Sequence, residues 1–204
     1  MQLRILSAAD VRQTMDMASA IEAMRAAFAE LAGGGTQLPQ RVGLETADGV
    51  SLFMPGFLRS ENAAAAKMVS IFPDNAAQGL PQIHAVVLVI DPQTGIPLAL
   101  LDGTYLTALR TGAVGGLAAD LLALEDARSC ALFGAGTQAR TQLEALLVVR
   151  DIEEVRVCSP TPGNAEAFAE EMSSRHGISV RSASVPDAMR GADVVVSATS
   201  SRVP

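Results

Sequence analysis

The chain has 204 residues, is 49% hydrophobic and carries a net charge of −7 with a sequence pI near 4.8. This apolar content is enough for a sizeable core and excludes a disordered chain. The acidic balance and an aromatic content of 3%, with no Trp and one Tyr, speak against nucleic acid as a partner, because a polyanion would be repelled and few rings are available to stack on bases.

Elements are legible in chain order. Residues 7–31 place Val11, Met15, Ala18, Ile21, Met24 and Phe28 at helical spacing, and Gly33-Gly34-Gly35 stops the helix. From residue 39 to 101 the pattern becomes that of a mostly antiparallel meander. Strands are expected over 41–45, 51–55, 64–72, 83–90 and 97–101, separated by turn signals such as Ala47-Asp48-Gly49, Pro73-Asp74-Asn75 and Asp91-Pro92-Gln93-Thr94-Gly95. Residues 104–124 read as a helix rich in Ala and Leu. Strands at 129–133, 154–158, 179–182 and 193–198 then alternate with helices at 137–150 and 164–176 and a helical turn at 185–190. Such alternation implies parallel βαβ units, here able to form four neighbours in the order 3-2-1-4. The last strand, almost all Val and Ala, reads as a central strand buried on both faces. The boundary between the two patterns falls in the 104–124 helix.

The N-terminus, Met1-Gln2-Leu3-Arg4-Ile5, has no apolar region of signal-peptide type, and no uninterrupted apolar run reaches the roughly 20 residues that span a bilayer. A soluble cytoplasmic protein without a membrane partner is expected. Cys130 and Cys158 lie in apolar strand-like runs and read as buried small hydrophobes. Neither they nor His84 and His176 show metal-ligand spacing, so no metal site is expected.

Cys130-Ala131-Leu132-Phe133 runs into Gly134-Ala135-Gly136-Thr137-Gln138-Ala139, with a helix after it. This is the G-x-G-x-x-G/A pattern between a strand and a helix. Gly134 permits the tight turn, Gly136 lets the backbone approach a pyrophosphate, and Ala139 is small enough for the helix to pack on the strand. The free amides of Thr137, Gln138 and Ala139 then face the phosphates. The plain alternative is a glycine turn in an α/β domain that binds something else. The following strand ends Cys158-Ser159-Pro160-Thr161, without an acidic residue for a ribose 2′-hydroxyl or an Arg for a 2′-phosphate. Ser159 and Thr161 could hydrogen-bond either cofactor, so the sequence leaves NAD and NADP both open. Asp151, Glu153 and Glu154 precede that strand and read as solvated surface.

Fourteen of the fifteen basic residues are Arg, and the one lysine, Lys67, lies between four alanines and Met68-Val69-Ser70-Ile71-Phe72. A lysine in an apolar strand can exchange protons near neutrality, which an arginine cannot. The alternative is a snorkelling lysine at a strand edge. Arg41 enters a strand after Leu38-Pro39-Gln40 and by itself reads as surface. Arg110 stands on an almost uncharged helical stretch. Two guanidinium forks and an ammonium would make a clamp for a small carboxylate.

At these residues the chain resembles the ornithine cyclodeaminase/mu-crystallin family. The likeness is carried by Lys67-Met68-Val69-Ser70-Ile71-Phe72-Pro73-Asp74-Asn75, Gly79-Leu80-Pro81, Asp91…Thr94-Gly95-Ile96-Pro97, Leu101-Asp102-Gly103 and Leu106-Thr107-Ala108-Leu109-Arg110-Thr111. Gly134 to Ala139 and Ala192-Asp193-Val194-Val195-Val196-Ser197-Ala198-Thr199-Ser200-Ser201 continue it, so that it spans the chain in order. The resemblance implies an α/β fold with a Rossmann-type doubly wound parallel sheet behind an N-terminal α+β domain. Residues 1–112 would bind substrate and dimerise, and residues 113–204 would form a partial dinucleotide-binding domain. It implies a homodimer, NAD or NADP as cofactor, and Arg41, Lys67 and Arg110 as the groups that bind a substrate carboxylate, with Lys67 catalytic. Met54 would line the substrate pocket, and Thr111 and Thr199 would join the cofactor set.

The reaction so implied is hydride transfer between a nicotinamide and the carbon next to the carboxylate, interconverting a small amino acid and its imine, as in a ketimine reductase or an amino-acid dehydrogenase. The alternatives are an ornithine cyclodeaminase forming proline and ammonia, and a non-catalytic dinucleotide-binding protein of mu-crystallin type. A domain of this type has six strands, against four here. The chain is therefore expected to be a fragment or the product of a truncated gene, inactive on its own, with an acidic catalytic residue beyond Pro204.

Overall fold

A computed structural model of the chain describes residues 2–199 and 201. The chain divides into two compact units. The first comprises Met1–Asp16 and Arg25–Thr107, the second Met17–Met24 and Ala108–Pro204.

The first unit is built on a seven-stranded sheet among the described residues. Its centre is an antiparallel meander of β4 (Val50–Leu58), β5 (Ala63–Ile71), β6 (Ile83–Ile90) and β7 (Pro97–Asp102). Three short strands complete it. β1 (Arg4–Leu6), unmarked in the sequence, runs parallel to β7. β2 (Thr36–Gln37), also unmarked, and β3 (Val42–Glu45), within the strand expected over 41–45, pair with the two ends of β4. The helix expected over residues 7–31 is two helices, α1 (Ala8–Thr14) and α2 (Met17–Ala32). α1 opens on a capping box, with the Ser7 side chain accepting from the Asp10 amide while the Asp10 carboxylate accepts from the Ser7 amide, and Met15 leaves it in extended backbone. The periodicity continues across the break, so pattern alone joined the two.

Several family-like motifs prove to be turn chemistry. Asp91 accepts from the Gln93 amide and the Thr94 hydroxyl, and Gly95 takes φ +74° to close the β6–β7 turn. Pro73-Asp74-Asn75, expected as a turn, begins a 3-10 helix, Pro73–Gln78, that ends at left-handed Gly79. Gly103 opens α3 (Gly103–Leu122), and a Cβ there would lie 2.7 Å from the Ala85 carbonyl carbon of β6. Glu30 of α2 ties the β4–β5 hairpin by accepting from the Arg59 amide (2.6 Å), the Ser60 amide (2.9 Å) and the Ser60 hydroxyl (2.5 Å).

The second unit carries a four-stranded parallel sheet among the described residues: β8 (Ser129–Phe133), β9 (Glu154–Cys158), β10 (Ser179–Ser182) and β11 (Val194–Ser197). Their order, β10-β9-β8-β11, is the expected 3-2-1-4 arrangement. α4 (Thr137–Val149) and α5 (Pro162–His176) cover one face, where Leu143, Leu146, Phe168 and Met172 pack on Cys130, Leu132, Val155 and Val157. On the other face Ala188, of α6 (Val185–Met189), packs against Ala131 and Cys158. Helices on both faces make the sheet doubly wound. β11 stands at the edge of the described sheet, as the β10-β9-β8-β11 order places it, but Val195 is 51% exposed where a strand buried on both faces is expected.

Both cysteines are buried free thiols. Burial pushes the Cys130 thiol up to about 12, against the opposing charge of Arg156, and raises Cys158 as well. Arg156, on β9, is buried at 6% exposure and donates to the Asp187 and Arg190 carbonyls at the end of α6. Glu154 is not merely solvated surface: its carboxylate pairs with Arg181 at 2.9 Å and Arg156 at 3.7 Å.

Arg150 does for α3 what Arg156 does for α6. From the end of α4 it donates to the Asp120, Ala123 and Leu124 carbonyls, each at 2.9 Å, with its side chain 8% exposed. The last carbonyls of a helix have no partner within it, so one guanidinium partners the Asp120 carbonyl and the Ala123 carbonyl just beyond the helix, and it shares the Leu124 carbonyl with the Ala127 amide. Arg150→Met should therefore lower stability by about 3 kcal/mol, read as a shifted urea midpoint in far-ultraviolet circular dichroism. A charge-only role would instead let Arg150→Lys match the wild type.

Candidate functional site

Because the four strands are parallel, the carboxyl ends of β8, β9 and β11 lie on one edge of the sheet. Strand order reverses between β8 and β11, which is where open α/β sheets form a ligand crevice. β8 leaves the sheet through Gly134 at φ +105°, and the Gly134 amide donates to the Cys158 carbonyl at 2.8 Å. A Cβ on Gly134 would collide with the Ala198 carbonyl just past β11, so sterics and backbone angle both demand glycine. Gly136 is the N-cap of α4 in extended backbone with no side-chain cap, and a Cβ there would meet nothing within 4 Å among the described residues. The loop thus presents open space in front of Gly136, bordered by the first-turn residues Thr137, Gln138 and Ala139. Thr199 follows β11 beside the Gly134 turn. Ser159 and Thr161 follow β9 on the same edge, the Thr161 amide donating to the Ser159 hydroxyl at 3.3 Å.

Thr111 is drawn to the same region by glycine packing. A Cβ on Gly112 of α3 would lie 2.5 Å from the Thr141 carbonyl oxygen of α4, and one on Gly116 would lie 2.9 Å from the Ala145 side chain. Gln142 of α4 donates to the Thr111 carbonyl at 3.0 Å. One further side chain braces the loop, and another ties the opposite end of β8. Arg140 donates to the Ala135 carbonyl at 2.9 Å and grips Glu171 of α5 through three contacts of 2.5–3.0 Å. That pairing holds the Glu171 carboxyl below its ordinary range. Asp193 accepts from the Arg128 amide (2.9 Å) and from the amide and hydroxyl of Ser129 (each 2.8 Å), joining the start of β8 to β11.

In the first unit, Lys67 of β5 sits directly opposite Met54 of β4 and Val87 of β6. Directly opposed residues share a face, so Met54 and Lys67 are side-chain neighbours on a central strand pair. Lys67 is half-buried. Arg41 immediately precedes β3, whose first pair is Val42 with Phe53, so the register carries Arg41 to the level of Met54. Arg41 itself is exposed. Arg110 lies on α3 in the second unit and is also exposed.

Sequence reasoning passes over Arg140, Glu171, Gln142 and Asp193. Gln142 and Arg140 stand within a few residues of the glycine motif, and that proximity is the one available signal. Glu171 and Asp193 act across 31 and 64 residues of chain, a separation that no local pattern exposes.

The model of the ornithine cyclodeaminase/mu-crystallin family matches residues 1–204. The chain belongs to this family. Within it, the alanine dehydrogenase of Archaeoglobus fulgidus is 39% identical over all of this chain and 62% of its own length. The structure of Thermococcus litoralis Delta(1)-pyrroline-2-carboxylate reductase in complex with NADH and L-proline superposes with a TM-score of 0.93 at 42% identity, over 98% of this chain and 62% of that one. An archaeal alanine dehydrogenase dimer with bound NAD superposes at 0.94 with 39% identity, over 100% of this chain and 62% of that one. The chain thus spans about 62% of the length of these family members. Among the described residues no helix is long and apolar enough to cross a membrane.

The Asp193 bridge generates a pH signature. Hydrogen bonds from the Arg128 amide, then from Ser129, hold its carboxyl below the ordinary value. A carboxyl with a depressed folded pKa stabilises the fold above its unfolded pKa, near about 4, and loses that contribution as pH falls through the folded value. Asp193→Asn should lower the melting temperature at pH 7, and the gap from wild type should close as the pH is taken below about 4. A gap that stays constant across that range would mean that the ionised carboxylate is not what joins β8 to β11.

Proposed function

We propose that the protein is an NAD(P)-dependent oxidoreductase that interconverts a small amino acid and its imine, of the ketimine reductase or amino-acid dehydrogenase type. The observation that carries the reading is the open space before Gly136 at the strand-order reversal, on an edge that also holds Thr199, Ser159 and Thr161. It fits a dinucleotide: an absent side chain admits the pyrophosphate, and the uncapped first turn of α4 supplies amides to an anion. Thr111, Gly134, Gly136, Thr137, Gln138, Ala139, Ser159, Thr161 and Thr199 form the proposed cofactor set. NAD is favoured by the NADH and NAD held in the two related structures, and NADP stays compatible with the uncharged end of β9.

When bound, the nicotinamide supplies the hydride chemistry, and the protein's part is to bind, orient and move protons. Arg41 and Arg110 are proposed to hold the substrate carboxylate with guanidinium forks. Lys67 is proposed to contact the same carboxylate and to carry the proton at its Nζ, with Met54 beside it shaping the apolar wall. Residues 1–112 then serve substrate binding and dimerisation, and residues 113–204 hold the cofactor. A homodimer accords with the dimeric archaeal relative. It also accords with an exposed apolar row on the sheet face opposite Lys67, where Val42, Phe53 and Val86 align across β3, β4 and β6.

Gly136→Val should leave the circular dichroism near native, because its side chain strikes nothing described, yet abolish calorimetric binding of NADH and NADPH. Gly134→Val should instead destabilise the fold. Unchanged binding by Gly136→Val would remove the cofactor from this edge.

Turnover is tested by oxidation of NADH or NADPH with cyclic and linear imines. In a form of the protein that turns over, Lys67→Met should cut the rate by at least about a hundredfold while leaving dinucleotide affinity nearly unchanged. A variant retaining most of its turnover would leave Lys67 a structural, snorkelling lysine. Dinucleotide binding by a wild-type protein that turns over none of these imines would favour the non-catalytic reading.

A further inference from the structure

We propose that Arg140 is a positioning residue for the pyrophosphate, acting through the peptide between Ala135 and Gly136 rather than by touching the phosphates. The inference rests on the dinucleotide reading above. Its basis is the planarity of the peptide unit. The Ala135 carbonyl and the Gly136 amide belong to one plane, with no cis peptide among the described residues, and they point in opposite directions. Arg140 donates to that carbonyl at 2.9 Å, so it fixes the direction of the Gly136 N–H. The neighbouring residues make such a fix necessary. Gly134, at φ +105°, and Gly136, with open space around its missing Cβ, both lack the side chains that ordinarily restrict a backbone flip. A loop that must be glycine-rich for close approach is for that reason free to turn its amides away, and a bond from outside the loop removes this freedom.

The guanidinium is itself held. Its Nε contacts both Glu171 carboxylate oxygens at 3.0 Å, its Nη2 contacts one of them at 2.5 Å, and its carbon lies 5.2 Å from the Phe168 ring centroid. Phe168 is fully buried in the core between the sheet and α5. The chain of restraint therefore runs from the core of α5, through Glu171 and Arg140, to one peptide of the loop. The same pairing neutralises the Arg140 charge. A free arginine near the loop would attract phosphate directly, whereas one gripped by a carboxylate fork is committed to orientation.

This distinction gives opposite signs in one experiment. NADH binding to the 204-residue chain is measured by calorimetry for the wild type, Arg140→Met, Arg140→Lys, Glu171→Gln and Gly136→Val, with thermal melts of each. Arg140→Met should weaken NADH about tenfold and leave binding of adenosine, which lacks the pyrophosphate, unchanged. Arg140→Lys should fall between, since an ammonium can reach a carbonyl but cannot also fork onto Glu171. Glu171→Gln should weaken NADH too, although it removes a negative charge from the region. Tighter binding by Glu171→Gln would overturn the proposal, because Arg140 would then be acting as a charge on the phosphates. Wild-type affinity in Arg140→Met would also overturn it, leaving the cofactor assignment intact. If Arg140→Met does not fold, the sign of the Glu171→Gln effect decides alone. A wild-type chain that binds neither NADH nor NADPH would overturn the dinucleotide reading and this inference with it.

Discussion

The second unit depends on how closely α3 can approach α4. Gly112, Gly115 and Gly116 give α3 a face without side chains, and Thr141, Gln142 and Ala145 of α4 fill it. Helices normally pack with axes about 8–10 Å apart, a distance set by the side chains between them. Removing those side chains on one helix brings the backbones together, and it lets Gln142 reach the Thr111 carbonyl. Two consequences follow at opposite ends of the pair. Thr111 is brought toward the glycine loop that opens α4, and the end of α3 comes within reach of Arg150, which closes it. Any larger residue at Gly112 would force the Thr141 backbone away, so the demand is for absence of bulk rather than for flexibility.

The arginine bias of the composition has a physical reading. Fourteen arginines against one lysine first suggest that Lys67 is unusual. The structure adds what several of the arginines do. Arg140, Arg150 and Arg156 each direct a guanidinium at backbone carbonyls, of a loop in one case and of helix ends in the others. A planar group with five donors can span carbonyls that lie on different turns, and an ammonium on a flexible stem cannot. These three arginines are a means of satisfying backbone. That division of labour also explains why a buried cation such as Arg156 escapes notice in the sequence: in Glu154-Val155-Arg156-Val157-Cys158 it looks like the outward residue of an alternating strand. Its side chain instead lies under α6.

Much of the fold was legible because strand and helix periods differ so plainly. The alternation after residue 129 yields the parallel sheet and its 3-2-1-4 order, and the glycine motif falls at the turn where the order reverses. The failures have local causes. α1 and α2 share one continuous periodicity, so the extended Met15 between them leaves no mark in the apolar pattern. β1 and β2 are too short to show alternation and exist only through their partners β7 and β4. β11 has the composition of a strand covered on both faces, yet composition does not say which elements cover each face, and Val195 stays half exposed. For the site, residue types and motif spacing point to Met54 and Lys67 separately. Their direct opposition is a matter of register, which depends on the whole length of the β4–β5 hairpin.

The parallel pairing of β1 with β7 bears on the order of assembly. The meander from β4 to β7 joins strands that are neighbours in the chain, so each pairing closes a short loop. β1 instead brings Arg4 beside Ala99 and Leu6 beside Leu101. Closing so long a loop has an entropic penalty that short-range pairings avoid, and contacts of this separation slow folding. During synthesis the first strand emerges long before its partner and must wait, unpaired, until the meander is made. By loop length, β1 is thus expected to be the last strand of this sheet to pair.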